Sequence, residues 1–315
     1  MTYRIDPKLS LTGEIRRIAG VRIGKAVESL EASRTEPEKG LHNARKRFKE
    51  LRALFALIRS GDRGFCRKEN RRYRDIARTI AGPREATALI ETLDRLAKEF
   101  PESCAGGELD NVRDALVARR ERIAHDRADL GPVIDAAIAS CGEGRMALHG
   151  VVLPDDPQLA ADVLAEGSGR TLRHAARSLA AAAKRGKPED FHNLRKAVKA
   201  HRMHLSLLRG VWPRPQKSRR KAVEALGDQL GDLNDIFVMR WLIDAEGREL
   251  GARKQLALLR RLLKRSEKRL RKTCLKDARR LFGEKRKPTL RKIADRYQSS
   301  AGNAPPQADT ADVPA

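Results

Sequence analysis

At 315 residues and 40% apolar content, the chain can bury one large or two modest cores, which excludes wholesale disorder. Its 67 Lys and Arg against 42 Asp and Glu leave a formal charge of +25, an excess that attracts a polyanion before any specific contact forms. Cys66, Cys104, Cys141 and Cys274 lie far apart without a C-x-x-C pair, so neither a disulfide scaffold nor a structural zinc site is expected. A reducing compartment fits that usage. No apolar region follows the first residues, and no stretch approaches the roughly 18 apolar residues of a membrane span. The expected setting is the cytoplasm, of a bacterial type.

Long stretches rich in Ala, Leu, Arg, Lys and Glu, with few β-branched runs and no Asn-Gly or Asp-Gly hairpin signal, predict an all-α protein. Expected helices span 12–34, 38–59, 66–81, 83–100, 108–128 and 131–140, then 159–185, 189–210, 216–231, 233–248, 251–282 and 287–298. The segment GEGRMALHGVVLPDDP, with its Gly, Pro and paired acids, divides them. The expected organisation is a first bundle over 12–141, a connector over 142–158 and a second bundle over 159–298. A disordered tail is expected over 299–315, where Ala, Pro, Gly, Gln and Asp follow without apolar periodicity. Residues 1–150 carry a net charge of +7 and residues 151–315 carry +18, so most of the field comes from the second half.

Laid on itself with an offset of 150, the sequence pairs HNARKRFKELRALFALIR (His42 to Arg59) with HNLRKAVKAHRMHLSLLR (His192 to Arg209). Eight of these eighteen positions are identical, and most of the eight are polar: His42/His192, Asn43/Asn193, Arg45/Arg195, Lys46/Lys196, Lys49/Lys199 and Arg52/Arg202. A shared core alone would repeat its apolar positions instead. On a helix, His42, Arg45, Lys46, Lys49 and Arg52 fall on one face, and Leu41, Ala44, Phe48, Leu51, Phe55 and Ile58 on the other. The cations form a ladder whose rungs are spaced by turns of about 5.4 Å, which suits a linear polyanion. His201 and His204 stand where the first copy has Leu51 and Leu54, so packed histidines are expected there. His125 and His149 lack metal-ligand spacing.

The same offset aligns Ile80 to Glu85 with Leu230 to Asp235, each expected at a joint between two helices. Upstream, Arg22 and Lys25 in one half and Arg173, His174 and Arg177 in the other lie on the helices that precede the ladders. They are candidates for a second wall of the same site. The two ladders should then be related by about half a turn and face a common cleft.

With these residues in hand, the sequence resembles the CHAD family, the conserved histidine α-helical domain, over roughly residues 12–298. The family's signature helix has a His, a basic residue three positions on, and further basic residues about seven, eight and ten positions on. Here these are His42, Arg45, Lys49 and Arg52, and again His192, Arg195, Lys199 and Arg202; the position eight on departs, being Glu50 and Ala200. A Leu-Gly-x-x-Arg-Asp element of the family is approximated by Ile80 to Glu85 and, with Asn234 in place of Arg, by Leu230 to Asp235. The resemblance implies two pseudo-symmetric helical bundles, inorganic polyphosphate as partner and association with polyphosphate granules. Glu50 fits that ligand only if a neighbouring Arg neutralises it.

The residue types suit the task, since Arg offers a rigid fork of donors to phosphate oxygens and Lys a mobile point charge. His42 and His192 gain a second donor when protonated, so binding is expected to strengthen on mild acidification. The stretch 251–298, with 19 basic and 4 acidic residues, can be a solvated face or a further capture surface. No phosphate-binding loop, dinucleotide fingerprint, H-E-x-x-H or nucleophile elbow occurs, so neither an enzyme nor a cofactor is expected. The alternative reading is a nucleic-acid-binding basic helical protein. The 4% aromatic content argues against single-strand recognition, which uses stacking platforms.

Overall fold

The computed structural model describes residues 3–80, 84–125, 130–212, 216–283 and 287–302. Among them are eleven α-helices, two single 3-10 turns and no strand. The helices are α1 (Leu11–Ala32), α2 (Pro37–Leu57), α3 (Arg63–Thr79), α4 (Arg84–Glu99), α5 (Asp110–His125) and α6 (Gly131–Ala147). There follow α7 (Pro157–Lys184), α8 (Pro188–Leu207), α9 (Gln216–Leu250), α10 (Arg253–Phe282) and α11 (Lys287–Gly302). Local chemistry sets several starts. Ser10, Asp62 and Asp156 each accept a backbone N–H of the first turn of α1, α3 and α7. Pro37 and Pro188 open the two ladder helices at the position where no intrahelical N–H is needed.

α2 buries the face that its periodicity requires, with Leu41, Ala44, Phe48, Leu51, Phe55 and Ile58 all in the core. Phe48 stacks on Tyr73 of α3 at 5.7 Å between ring centroids, and Phe55 meets Phe65 edge-on at 5.3 Å. In the second half α8 packs on α7 and α9, as α2 packs on α1 and α3; α1 also lies on α6, and α7 on α11. The halves are joined rather than beaded. α2 packs against α7 and α8, and α9 against α4 and α5. Buried apolar residues from Ile5 to Tyr297 form one continuous cluster.

Three boundaries differ from expectation. The joint expected near Gly231 is absent, because α9 runs unbroken through Leu230 to Asp235 with Leu230, Leu233 and Ile236 buried along one side. Glycine alone, without a proline or a capping partner, did not end a helix whose apolar face continues. Its counterpart over 81–83 lies outside the described residues. α6 likewise continues through Gly142 and Gly144 to Ala147, which shortens the expected connector. Gly144 is there for packing: a Cβ on it would stand 2.1 Å from the Tyr73 hydroxyl. Finally, α11 extends to Gly302, into the segment expected to be disordered, and residues 303–315 lie outside the description.

Candidate polyanion-binding surface

The two ladders meet. α2 and α8 pack directly on each other, and Lys49 of the first ladder lies near enough to its counterpart Lys199 to disfavour the charge on it. Burial, then Arg195, then Lys49 push the Lys199 ammonium down to about 8, while Asp235 and Asp228 hold it up. One turn along the same contact, the buried His204 lies with Nε2 3.0 Å from the Ala53 carbonyl of α2. Since that carbonyl only accepts, Nε2 carries the proton and donates it. His201 is also buried, with Trp212 and Phe282 edge-on at 5.3 and 5.5 Å. Both histidines belong to the core.

Around this junction the remaining rungs have different surroundings. On α2, His42 and Lys46 are exposed, and Arg45 and Arg52 are half-buried. Arg52 Nε donates to Asn70 Oδ1 of α3 at 2.9 Å, and burial followed by the nearby Arg74 and Arg78 lowers its pKa. On α8, Lys196 and Arg202 are exposed, while His192 and Arg195 are half-buried. His192 Nδ1 donates to Asn234 Oδ1 of α9 at 3.0 Å, and Asn234 Nδ2 donates to Asp235 at 3.4 Å. Arg195 lies over Gly231, with guanidinium nitrogens 3.7 and 3.9 Å from where a Cβ would stand, and its buried Nε has no hydrogen-bond partner among the described residues. Arg202 is ion-paired with Glu224 of α9.

The walls are therefore unequal. α3 places Arg78 and Arg74, the latter ion-paired with Asp75 at 2.8 Å, beside the first ladder, whereas α9 places Glu224 and Asp228 at the aligned positions beside the second. Sequence reasoning passed over these two walls, although the offset of 150 that pairs the ladders also pairs Arg74 with Glu224 and Arg78 with Asp228.

Of the upstream candidates, Arg22 lies inside the fold. It is buried, its Nε lies 3.2 Å from Glu50, and its guanidinium covers the Tyr3 ring at 4.9 Å. Glu50 is held by Arg47 as well, at 3.0 Å. Glu50, the acid beside the ladder, is thus paired with Arg22 and Arg47 within the fold. Lys25 is half-buried a turn further along α1, and Arg173 and Arg177 are exposed on α7. Arg177 and Lys196 both lie close enough to His174 to lower its pKa, after burial, so α7 and α8 share one cationic surface. Among the described residues, no group of three or more His, Cys, Asp or Glu is placed to hold a metal ion. No described helix is long and apolar enough to cross a membrane. The cysteines are free thiols.

The fold resembles the crystal structure of the CHAD domain from the plant Ricinus communis, with a TM-score of 0.56 over 92% of this chain and 93% of that one at 16% identity. No curated protein matches the sequence. The sequence model of the CHAD domain matches residues 22–244, from α1 through most of α9 and across both ladders, and on that match the chain belongs to the CHAD-domain family.

Proposed function

We propose that this protein binds inorganic polyphosphate through the paired basic ladders of α2 and α8, without catalysing its turnover. The observation that carries this reading is the meeting of Lys49 and Lys199. Two ammonium groups near enough to interact, one of them largely out of water, repel one another in the free protein, and an anion lying across both removes that cost. Arg45, Arg52 and Arg195 extend the contact on either side with donors matched to phosphate oxygens. Affinity then comes from many modest contacts and weakens steeply with salt. Family membership supports the ligand class, and duplicated ladders would let one chain run from one half to the other. Function in the cytoplasm, at polyphosphate granules, belongs to the same reading.

The discriminating experiment titrates long polyphosphate and a length-matched single-stranded DNA across a salt series. Polyphosphate binding that persists at salt concentrations releasing DNA supports the reading. Equal retention of both polymers overturns it in favour of a nucleic-acid binder or of capture by net charge alone.

A further inference from the structure

α10 carries a row of cations that the ladders do not use. Arg261, Arg265, Lys268, Lys272, Lys276 and Arg279 are all exposed. At 100° per residue they fall within about 40° of one line, a stripe about 27 Å long at 1.5 Å per residue. The opposite side of the helix is its buried one, with Leu259, Leu263, Leu270, Cys274 and Leu281 in the core. No acid interrupts the stripe. The two carboxylates of α10 point elsewhere, Glu267 to Arg240 and Arg271 at 2.5 and 2.8 Å, and Asp277 to Gln229 at 3.2 Å. Arg260 and Arg269, which flank the row, have acid partners in Asp244 and Glu99. None of the six stripe residues makes an ion pair with a described residue, and Arg265 instead covers the Phe100 ring at 4.6 Å.

Like charges four residues apart, as at 261/265 and 268/272/276, destabilise a helix by a few tenths of a kcal/mol per pair. An acid in any of the intervening exposed positions would relieve that repulsion. α10 packs on α9, α7 and α4, and α8 packs on α9 and α7, so the stripe lies on a helix that shares neighbours with the ladder helix α8 but is separate from the α2 and α8 pair.

We propose that the α10 stripe is a second polyanion-binding surface that takes a second polyphosphate chain, so that one molecule bridges two chains. This rests on the polyphosphate reading of the ladders. Exposed aromatic platforms are absent from the row, and a single file of flexible cations follows a thin linear chain of high charge density without base contacts. Two such surfaces on one protein turn binding into cross-linking of long polymers.

The test uses the full chain, an Arg261→Gln/Lys268→Gln/Lys272→Gln/Lys276→Gln/Arg279→Gln variant of the stripe, and an Arg45→Ala/Lys49→Ala/Arg195→Ala/Lys199→Ala variant of the ladders. A polyphosphate of the stripe's length is titrated calorimetrically, and light scattering follows mixtures with a long polyphosphate. The wild type should bind two short chains and scatter with the long one. The stripe variant should bind one short chain at the unchanged tighter affinity and scatter no more than free protein. A stripe variant that still binds two chains, or still cross-links as the wild type does, overturns the proposal. Displacement of the second chain by duplex DNA of equal charge would overturn its assignment to polyphosphate. Failure of the underlying reading looks different, since there the ladder variant would bind as the wild type does while the stripe variant binds nothing.

Discussion

Lys49 and Lys199 occupy the same rung of two ladders 150 positions apart in the chain, and where α2 packs on α8 the charge of Lys49 reaches Lys199 and disfavours its protonation. Their repulsion makes binding proton-linked. Lys199, lowered from 10.5 to about 8, is partly neutral in the free protein at pH 8 and above, and a bound anion favours its charged form. Affinity should therefore fall as pH rises from about 7 to 9, with proton uptake on binding that calorimetry in buffers of different ionisation enthalpy would detect. Lys199→Arg keeps its charge throughout and should flatten this dependence. An equal slope in that variant would rule Lys199 out as its source.

The unequal walls predict unequal halves. Arg52 has no acid of its own among the described residues and stands beside Arg78 and an Arg74 that Asp75 holds, whereas Arg202 is itself paired with Glu224. Arg52→Ala with Arg74→Ala should lower the slope of log affinity against log salt by about one to two, as expected for two lost phosphate contacts. Arg202→Ala should change it little, and Glu224→Ala should raise affinity by freeing Arg202. Equal losses from the two halves would contradict this asymmetry.

Acid should unfold the protein through its buried histidines. Burial holds His204 at about 4 against an ordinary 6.5, and burial followed by Arg219 and His204 holds His201 well below that ordinary value too. With folded pKa values below the unfolded ones, the unfolded chain takes up protons first, so stability is lost as pH falls from about 6.5 towards 4. His204 alone accounts for about 3 kcal/mol of that loss when the window has been crossed. His204→Leu, the residue type of the first copy, should flatten the acid limb of a denaturation series. A limb that keeps its full steepness would place the acid sensitivity elsewhere.

Two glycines inside helices should respond in opposite directions. Gly167 of α7 lies against the end of α2, and a Cβ there would stand 1.7 Å from the Leu57 carbonyl oxygen, a backbone atom that cannot move aside. Gly167→Ala should cost several kcal/mol, since overpacking against side chains alone costs about 1–3. Gly142 of α6 has nothing within 4 Å of that position, and Gly142→Ala should stabilise by about 0.5–1 kcal/mol through helix propensity. Thermal melts of the two variants decide it.

Arg22 and Glu50 should prove structural. With side-chain exposures of 8% and 13%, the pair is nearly out of water, and removing Arg22 leaves Glu50 with Arg47 as its remaining cation and uncovers the Tyr3 ring. Arg22→Ala should lower the melting temperature while leaving polyphosphate affinity within about twofold, which separates it from Arg45 and Lys49.

The fold class and the exposed faces of the ladder helices were legible because apolar periodicity fixes which side of a helix is buried. Leu41, Phe48 and Phe55 leave His42, Lys46 and Lys49 only the outside. What escaped the sequence is tertiary. Glycine at 142, 144 and 231 reads as punctuation, yet the apolar face of α9 runs on through Gly231, and Gly144 is needed only because Tyr73 packs there. Arg22 reads as one more cation until its position opposite Glu50 and Tyr3 is known. The acids on α9 were visible, but which ladder they face is set by the packing of α8 on α9.

The most direct measurement is the affinity of polyphosphate for wild type and for the Arg45→Ala/Lys49→Ala/Arg195→Ala/Lys199→Ala variant at two salt concentrations, with folding checked by circular dichroism. The folded variant should lose most of the affinity at low salt, and its salt slope should fall by about three to four, one for each lost contact. A folded variant that binds with the wild-type affinity and slope would show that the ladders meeting at Lys49 and Lys199 do not hold the ligand.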